Sequence, residues 1–349
     1  MIGLLDKPAC TEKTKGPRSS NNLRRTMQNA QDSDASANVL NASIRKIIKL
    51  GGAAITHKGT FETPDLHTIK TVAQHISETY QALRSADPSG LPGLVIVHGA
   101  GSFGHHQASQ YSVKSGWGLD TDQVKSRAGF CLTRASVQKL NGIVVDALIS
   151  EGLPAVGISP FASGWRTRNS TVKHDGCSAV LSCLSAGLLP VLHGDCVLDD
   201  QLGCTILSGD TVLRRLAENA AGGEEAVSAV FLTNVAGVYD RPPSETGATL
   251  VKRIEVEKGG SWSVPGLKLS SSSCPDTTGG MEKKVEEAAS VAGLGIEVVI
   301  AHAGTESGRR ACLLNATQIR EIDEGSGHHS SMQQTWQGTV VGMKTTQLT

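Results

Sequence analysis

The 349-residue sequence is poor in aromatic side chains, which make up 3% of it, and it carries no net charge. Its 33 Lys and Arg residues are balanced by 33 Asp and Glu residues. A neutral chain is unlike a protein that binds nucleic acid or an anionic membrane through bulk positive charge. Scarce aromatic rings also argue against a surface on which nucleic-acid bases stack. We therefore expect no nucleic-acid partner.

Long apolar runs and paired cysteines are absent as well. No run approaches the roughly 18–20 apolar residues that a membrane-spanning helix needs, so we expect no membrane partner. The eight cysteines form no CxxC pair and no histidines cluster around them, which argues against a zinc site. We interpret them as reduced thiols in a reducing compartment and predict a cytoplasmic protein.

The distribution of polar and apolar residues divides the chain into three segments. Residues 1–43 are polar and aperiodic, which predicts a disordered N-terminal tail. An organellar targeting segment stays open as the alternative, although the four acidic residues of this tail are unusual for one. Residues 44–342 predict one α/β domain, and residues 343–349 a short C-terminal tail.

Short apolar runs alternate with helical patterns along residues 44–342. Continuous apolar runs are typical of strands in a parallel sheet that is covered on both faces. The runs are residues 47–50, 94–97, 190–192, 229–232 and 296–300. Between the first two, Thr63 and Pro64 are typical of a helix start, and an apolar stripe from Leu66 to Leu83 has helical spacing. This alternation predicts an α/β fold with ligands at the carboxyl ends of the strands.

Glycine-rich loops punctuate the predicted fold at Gly51-Gly52, Gly99-Ala100-Gly101 and Gly279-Gly280. Glycine lets backbone N–H groups approach an anion closely, and a following helix N-terminus adds a favourable dipole. One such pair is most often a tight turn. Three of them, each near a Lys, Ser or His, favour a protein that handles phosphate groups.

Other readings of the glycine loops fit less well. Residues 99–104 satisfy GxGxxG, the dinucleotide fingerprint, but residues 111–120 lack the second strand that should end in an acidic residue. A nucleophilic serine at Ser102 is disfavoured because Ala100 replaces the glycine of the nucleophile elbow. The sequence also contains no Walker A lysine motif, which argues against a P-loop protein.

Three lysines lie where phosphoryl transfer would need positive charge. Lys49 ends the first apolar run, Lys58 follows nine residues later, and Lys284 comes four residues after Gly280. Phosphoryl transfer depends on positioning and on cations spread around the moving group more than on covalent chemistry. A surface lysine is the ordinary interpretation of any one of them, but Lys49 has core-like neighbours.

These motifs together resemble those of the isopentenyl phosphate kinases, in the amino-acid-kinase superfamily. The matching segments are Lys49-Leu50-Gly51-Gly52-Ala53, His98-Gly99-Ala100-Gly101-Ser102-Phe103-Gly104-His105, His193-Gly194-Asp195, Ser208-Gly209-Asp210, Gly237-Val238-Tyr239-Asp240 and residues 276–284. The resemblance covers residues 44–342. It implies an open αβα sandwich around a mainly parallel sheet, forming a homodimer, and ATP-dependent phosphorylation of isopentenyl phosphate to isopentenyl diphosphate. The N-terminal part would bind the acceptor and the C-terminal part would bind ATP.

The resemblance also implies roles for single residues, with ATP and Mg²⁺ as cofactors and no metal ligand from the protein. Catalytic roles fall on Lys58, which stabilises the transition state, on Lys49, on His105 and on Asp210, which orients the lysines. The nucleotide positions are Lys49, Gly51, Gly52, Ala53, Gly101, Thr233, Asn234, Gly237, Gly280 and Lys284. The acceptor positions are Ala100, Gly104, His105 and Gly194. The family often has Gly where Ala100 stands and Ser where Ala53 stands.

The implied chemistry is consistent with the residues present. A phosphate monoester is already an anionic nucleophile at neutral pH, so no general base is required. Its five-carbon tail needs a small apolar pocket, for which the helix after Gly104 and residues 156–161 are our candidates. Two alternatives stay open: a related kinase with a carboxylate, nucleoside monophosphate or phosphonate acceptor, and a non-catalytic nucleotide-binding protein.

Overall fold

The structure, a computed structural model, describes residues 42–117, 122–221, 223, 227–258, 261–264, 281–323 and 336–344. The predicted tail up to residue 41 and the pair Gly279-Gly280 therefore lie outside the described residues. The strands are β1 (Lys46–Leu50), β2 (Leu94–His98), β3 (Ala155–Ile158), β4 (Arg166–Arg168), β5 (Thr171–His174), β6 (Leu189–His193), β7 (Asp195–Asp199), β8 (Gly203–Leu207), β9 (Ser228–Thr233), β10 (Val238–Tyr239), β11 (Leu250–Val251), β12 (Arg253–Val256), β13 (Trp262–Ser263), β14 (Glu297–His302) and β15 (Gly338–Met343). The helices are α1 (Gly52–Ile55), α2 (Leu66–Ala86), α3 (Gly101–Gln110), α4 (Gln123–Ser150), α5 (Cys177–Ser185), α6 (Gly209–Ala220), α7 (Met281–Ala292), α8 (Glu306–Leu313) and α9 (Ala316–Asp323).

Within these residues the main sheet has nine strands in the order β13-β12-β15-β14-β9-β1-β2-β6-β3. The five predicted apolar runs are confirmed as strands, and they are the five neighbours β14, β9, β1, β2 and β6. All of these neighbours pair in parallel. Their carboxyl ends therefore meet at one edge of the sheet, where ligands of open α/β folds bind.

Helices cover both faces of the sheet, which confirms the αβα sandwich. Successive side chains of a strand point to opposite faces, and β1 shows this within two residues. Ile47 packs into a core with Leu213 of α6 and Ala288 of α7. Ile48 packs into a second core on the other face, with residues from α2, α4, α8 and α9. Each fully buried Ile contributes about 1.5–3 kcal/mol.

Helix α2 begins later than the sequence predicts. Its N-cap is Asp65, whose carboxylate accepts hydrogen bonds from Thr68 N at 3.0 Å and Thr68 Oγ1 at 2.8 Å. Thr63 and Pro64 lie before it because Pro64 pairs in a β-bridge with Thr56, which keeps the chain extended. The apolar stripe also begins later, since Leu66 is 62% exposed while Ile69 is buried.

The described segments contain no helix that is both long and apolar enough to cross a membrane.

A small sheet in the order β5-β4-β7-β8 lies beside the main one and was not predicted. Asp199, at the end of β7, organises it by accepting hydrogen bonds from the backbone of Asn169, Ser170 and Leu202. Burial raises the pKa of Asp199, but these hydrogen bonds outweigh it and hold the pKa well below its usual range. They also hold Asn169 and Ser170 in the left-handed region, at φ 49° and 63°, which non-glycine residues seldom adopt.

Strand β1 carries a second lysine with a structural function. The Nζ atom of Lys46 donates to the carbonyl oxygens of Cys312 at 2.6 Å and Leu314 at 3.2 Å, at the C-terminal end of α8. A cation at this end of a helix is favoured by the helix dipole. Burial lowers the pKa of Lys46 to about 8. Lys46 therefore joins β1 to α8, on the sheet face opposite to Lys49.

Candidate active site

A cleft of about 630 Å³ opens at the carboxyl ends of β1, β2, β6 and β9. Most of the residues that the sequence analysis singled out line it together. They are Lys49, Gly51, Gly52, Ala53, Ala100, Gly101, Gly104, His105, Gly194, Asp210, Thr233, Asn234 and Lys284. Because these residues come from segments far apart in the chain, the parallel sheet is what brings them into one site.

Two predicted site residues among the described ones, Gly237 and Lys58, do not line this cleft. Gly237 is buried instead, and a Cβ there would lie 2.5 Å from Thr339 Oγ1, so this glycine permits close packing. Lys58 lies in an exposed turn after α1, outside the cleft lining. Gly280 belongs to the residues that the structure does not describe.

The glycines after β1 and β2 bring two loops into backbone contact. A Cβ on Gly52 would lie 2.4 Å from Gly101 N, and a Cβ on Gly99 would lie 2.8 Å from Gly52 N. Gly101 also has a φ of +51°, in the left-handed region. Such an approach leaves no room for side chains, so these glycines are needed for packing of the loops as well as for access of an anion to the backbone.

Ala100 is accommodated at a position where the resembling family often has Gly. It is the N-cap of α3 with φ −73° and ψ −25°, a conformation that any residue adopts without strain. Its side chain lies over Gly104, where a Cβ would come within 2.4 Å of Ala100 Cβ. The alanine thus fits because the residue one turn later is glycine.

His105 projects from α3 into the cleft with one ring nitrogen committed. Its Nδ1 lies 2.6 Å from the carbonyl oxygen of Gly101, which can only accept, so Nδ1 carries a proton. This leaves Nε2 for a ligand. The neighbouring His106 does not line the cleft and packs edge-on against Phe61, with the ring centroids 6.1 Å apart.

Lys49 is buried at the centre of the cleft between two carboxylates. Its Nζ atom forms an ion pair with Asp210, in the first turn of α6, and lies 3.5 Å from Glu287 Oε2 of α7. It also lies 5.0 Å from the centroid of the Phe231 ring. A buried ammonium group requires such compensation. Sequence reasoning identified Asp210 but missed Glu287, whose signal was its spacing of three residues from Lys284 on one helix.

Lys284 adds a second partly buried amino group to the cleft. Burial lowers its pKa, the positive charge of Lys58 lowers it further, and Glu287 acts in the opposite direction. The repulsion from Lys58 means that the exposed turn carrying Lys58 lies within electrostatic range of Lys284. Four lysines therefore contribute positive potential to this site: Lys49, Lys114 and Lys284 line the cleft, and Lys58 acts from outside the lining.

Two buried histidines, His98 and His193, end strands β2 and β6 beneath the cleft. The sequence analysis quotes them only as members of motifs and does not predict their structural role. Their rings stack with centroids 5.7 Å apart. His98 Nδ1 donates to Gly99 O, and its Nε2 accepts from Asn141 Nδ2 at 3.1 Å. Burial, together with repulsion from His193, lowers the pKa of His98 to about 3. The neutral ring thus fixes the turn that leads into the second glycine loop.

The neutral state of His98 predicts a loss of stability in mild acid. Between pH 6.5 and 3 the unfolded chain binds a proton on His98 that the folded chain does not, so lowering the pH favours unfolding. From pH 7.5 to pH 5 this one group should cost about 2 kcal/mol. Urea unfolding at both pH values, for the wild type and for His98→Gln, measures it. An equal pH dependence in the two proteins would contradict the prediction.

A buried ion pair supports the turn after β6. Asp195, which follows Gly194, lies 3.0 Å from Arg134 Nε and accepts from Ser159 Oγ at 2.8 Å and Cys196 N at 2.9 Å. These contacts join α4 and the segment after β3 to the Gly194 turn. The candidate tail-binding segment 156–161 therefore supports the wall of the cleft without lining it.

The part of the cleft lining that comes from α3, α4 and the small sheet combines apolar and hydroxyl side chains. Ala108 comes from α3, as expected for the helix after Gly104, and Thr133 and Val137 come from α4. The small sheet contributes Ser170 and Thr205. Across the described ranges, no group of three His, Cys, Asp or Glu side chains is arranged to hold a metal ion.

Comparison with known proteins agrees with this architecture. The model of the amino acid kinase family matches residues 45–302. The isopentenyl phosphate kinase of Arabidopsis thaliana is 40% identical over 338 residues, covering 86% of this chain and 96% of that protein. The isopentenyl phosphate kinase of Methanothermobacter thermautotrophicus is 35% identical over 273 residues, covering 77% and 94%. A crystal structure of an isopentenyl phosphate kinase, 32% identical, has a TM-score of 0.62 and covers 77% and 96% of the two chains.

Proposed function

This chain belongs to the amino acid kinase family, among its isopentenyl phosphate kinases, and from that premise we propose that it phosphorylates isopentenyl phosphate with ATP. The observation that carries the proposal is the single cleft that joins His105 to Lys49 and Lys284. An oxygen of the acceptor phosphate bonds to the terminal phosphorus of ATP. The bond from that phosphorus to the bridging oxygen breaks, and ADP leaves.

The two substrates bind on opposite sides of Lys49 in this proposal. The glycine loop of α3, with His105 and Gly194, holds the acceptor phosphate. Thr233, Asn234 and Lys284 hold the nucleotide. This division is supported by the order of these residues along the cleft, since β2 and β6 lie on one side of β1 and β9 lies on the other.

Bringing two polyanions together is the main obstacle that the site overcomes. Two unit charges 4 Å apart repel by about 4 kcal/mol at an effective dielectric constant near 20. Lys49 offsets this repulsion between the substrates, while Asp210 and Glu287 fix the position of its amino group. His105 donates from Nε2 when the ring carries both protons, because Nδ1 is bonded to Gly101.

Mg²⁺ suits this site as an ion that arrives with the nucleotide. Mg²⁺ keeps several waters and is bound through substrate phosphates with few protein ligands. Although the resemblance implies no metal ligand from the protein, the carboxylates of Asp210 and Glu287, which pair with Lys49, line the cleft and would offer oxygen ligands of the kind that Mg²⁺ prefers. When bound, the ion would neutralise charge on the phosphate oxygens.

Release of ADP in the presence of different acceptors tests the proposal. We expect turnover with isopentenyl phosphate and much less with glutamate, UMP or a phosphonate. Transfer to glutamate without transfer to isopentenyl phosphate would assign the chain to a kinase with another acceptor. ATP binding without ADP release for any acceptor would identify a non-catalytic nucleotide-binding protein.

Replacing His105 with alanine should impair use of the acceptor selectively. A hydrogen bond to a charged group contributes about 1.5–3 kcal/mol, so kcat/KM for isopentenyl phosphate should fall about 10- to 100-fold. The KM for ATP should change little. Steady-state kinetics with each substrate varied in turn measure this, with His106→Ala as the matched control. Unaltered acceptor kinetics in His105→Ala would contradict the role.

The homodimer and the cytoplasmic location remain predictions of the resemblance and of the cysteine pattern. Sedimentation of the purified chain measures the first. A fluorescent fusion of the full chain, compared with one that lacks residues 1–41, measures the second. Loss of an organellar signal on truncation would assign a targeting function to those residues.

A further inference from the structure

The exposed turn that carries Lys58 is fastened to helix α3, beside the acceptor side of the cleft. Phe61 packs edge-on against His106 of α3, with the ring centroids 6.1 Å apart. Thr63 N donates to Ser102 Oγ, in the first turn of α3, at 3.3 Å. Both contacts are made by residues that follow Lys58 in the turn. They hold its base against the helix whose glycine loop we assign to the acceptor phosphate.

A third contact joins the same turn to helix α4 through Glu62. Both carboxylate oxygens of Glu62 lie 2.9 Å from Lys139 Nζ. The side chain of Lys139 is 61% exposed, but the next residue, Leu140, is fully buried in the second core, so close packing fixes this part of α4. Val137 of the same helix lines the cleft. The ion pair therefore ties the turn to a rigid part of the cleft wall.

The backbone of Glu62 is in a conformation that favours glycine. Its φ is +48°, in the left-handed region that a residue with a Cβ seldom adopts. An exposed ion pair adds little to the stability of a fold, because water and dissolved ions screen it. Strained backbone is often found where a functional group must be held in place. Strain combined with a weakly stabilising contact indicates that the contact of Glu62 controls a position.

The other end of the turn reaches toward the nucleotide side of the cleft. Burial is the main cause of the lowered pKa of Lys284 in α7, and the positive charge of Lys58 lowers that pKa further. The charge of Lys58 therefore acts on α7, although its turn is fastened to α3 and α4. A lysine side chain is a flexible four-carbon stem. The contacts at the base of the turn thus decide which region the ammonium group can reach.

We propose that Glu62 is a positioning residue, whose ion pair with Lys139 sets the position of Lys58 relative to the two substrates. This inference rests on the proposed function and on the role in phosphoryl transfer that the resemblance implies for Lys58. Neither Glu62 nor Lys139 lines the cleft. A displacement of about 1 Å at a reacting centre can cost a hundredfold in rate, so a contact that adds little stability can still control kcat.

Steady-state kinetics of Glu62→Gln with ATP and isopentenyl phosphate test the proposal. We expect kcat to fall about tenfold, less than on loss of Lys58 itself because the contacts to α3 persist, while the KM for ATP stays within about twofold. The midpoint of urea unfolding should change little. Asp323→Asn breaks a similar ion pair, with Lys252 at 3.0 Å, outside the cleft lining. It is the matched control and should leave kcat unchanged.

Two further variants separate positioning of Lys58 from an independent effect of Glu62. Glu62→Lys combined with Lys139→Glu reverses the ion pair and should restore kcat to within about threefold of the wild type. In a Lys58→Ala background, Glu62→Gln should lower kcat no further, because residues that act as one unit have non-additive effects.

The inference and the proposed function fail on different results. An unchanged kcat in Glu62→Gln, no recovery in the reversed pair, or a further tenfold fall in the Lys58→Ala background overturns the inference alone. If the wild type uses another acceptor instead of isopentenyl phosphate, the proposed function fails, and the same variants measured with that acceptor decide the inference. No turnover with any acceptor overturns both. If Glu62→Gln does not fold, Lys139→Met breaks the same pair from α4, and an unchanged kcat there overturns the inference.

Discussion

Replacing Lys49 with methionine should lower kcat by about a thousandfold, the magnitude found when a preorganised donor to developing charge is removed. Methionine keeps the length of the side chain and removes the ammonium group. The loss is large because Lys49 is the buried cation at the centre of the cleft, held between Asp210 and Glu287. Initial rates with saturating ATP and isopentenyl phosphate measure the effect.

The same strand supplies a matched control in Lys46→Met. Lys46 is as buried as Lys49 but caps α8 on the opposite face of the sheet. Its removal should lower the free energy of unfolding and leave kcat of the folded protein nearly unchanged. Comparable losses of kcat in both variants, at a temperature where both are folded, would show that Lys49 acts through the fold instead of through the reaction.

Strand identity was the most predictable part of this fold. The five apolar runs became five adjacent parallel strands of the main sheet, because a strand covered on both faces is largely apolar. The peripheral strands gave no such signal. β4 has the sequence Arg-Thr-Arg and β5 the sequence Thr-Val-Lys-His, and their pairing depends on Asp199, a residue distant from both in sequence.

The site was predictable where backbone geometry demands a residue type, and unpredictable where a side chain acts by meeting a partner. Gly52 and Gly101 could be identified because two loops in contact leave no space for a Cβ. Glu287 could not, since an acidic residue is ordinary on a helix. Its significance depends on its position beside Lys49, which exists only after the chain has folded.

The turn that carries Lys58 is tied to the acceptor side of the cleft. Thr63 N donates to Ser102 Oγ at 3.3 Å, at the start of α3, and Glu62 forms an ion pair with Lys139 of α4 at 2.9 Å. Lys58 itself remains exposed. We propose that Lys58, on this anchored turn, acts on charge that develops between the substrates and not on the binding of ATP alone.

Lys58→Ala should therefore lower kcat by about a hundredfold while the KM for ATP stays within about twofold. Removing this charge also removes the repulsion that depresses the pKa of Lys284, so that pKa should rise, although burial, the larger cause, persists. Initial rates over a range of ATP concentrations measure the first effect. Lys70→Ala, which removes an exposed charge from α2, controls for net charge. A raised KM for ATP with kcat unchanged would instead make Lys58 a nucleotide-binding residue, and charge stabilisation would then rest on Lys49 and Lys284.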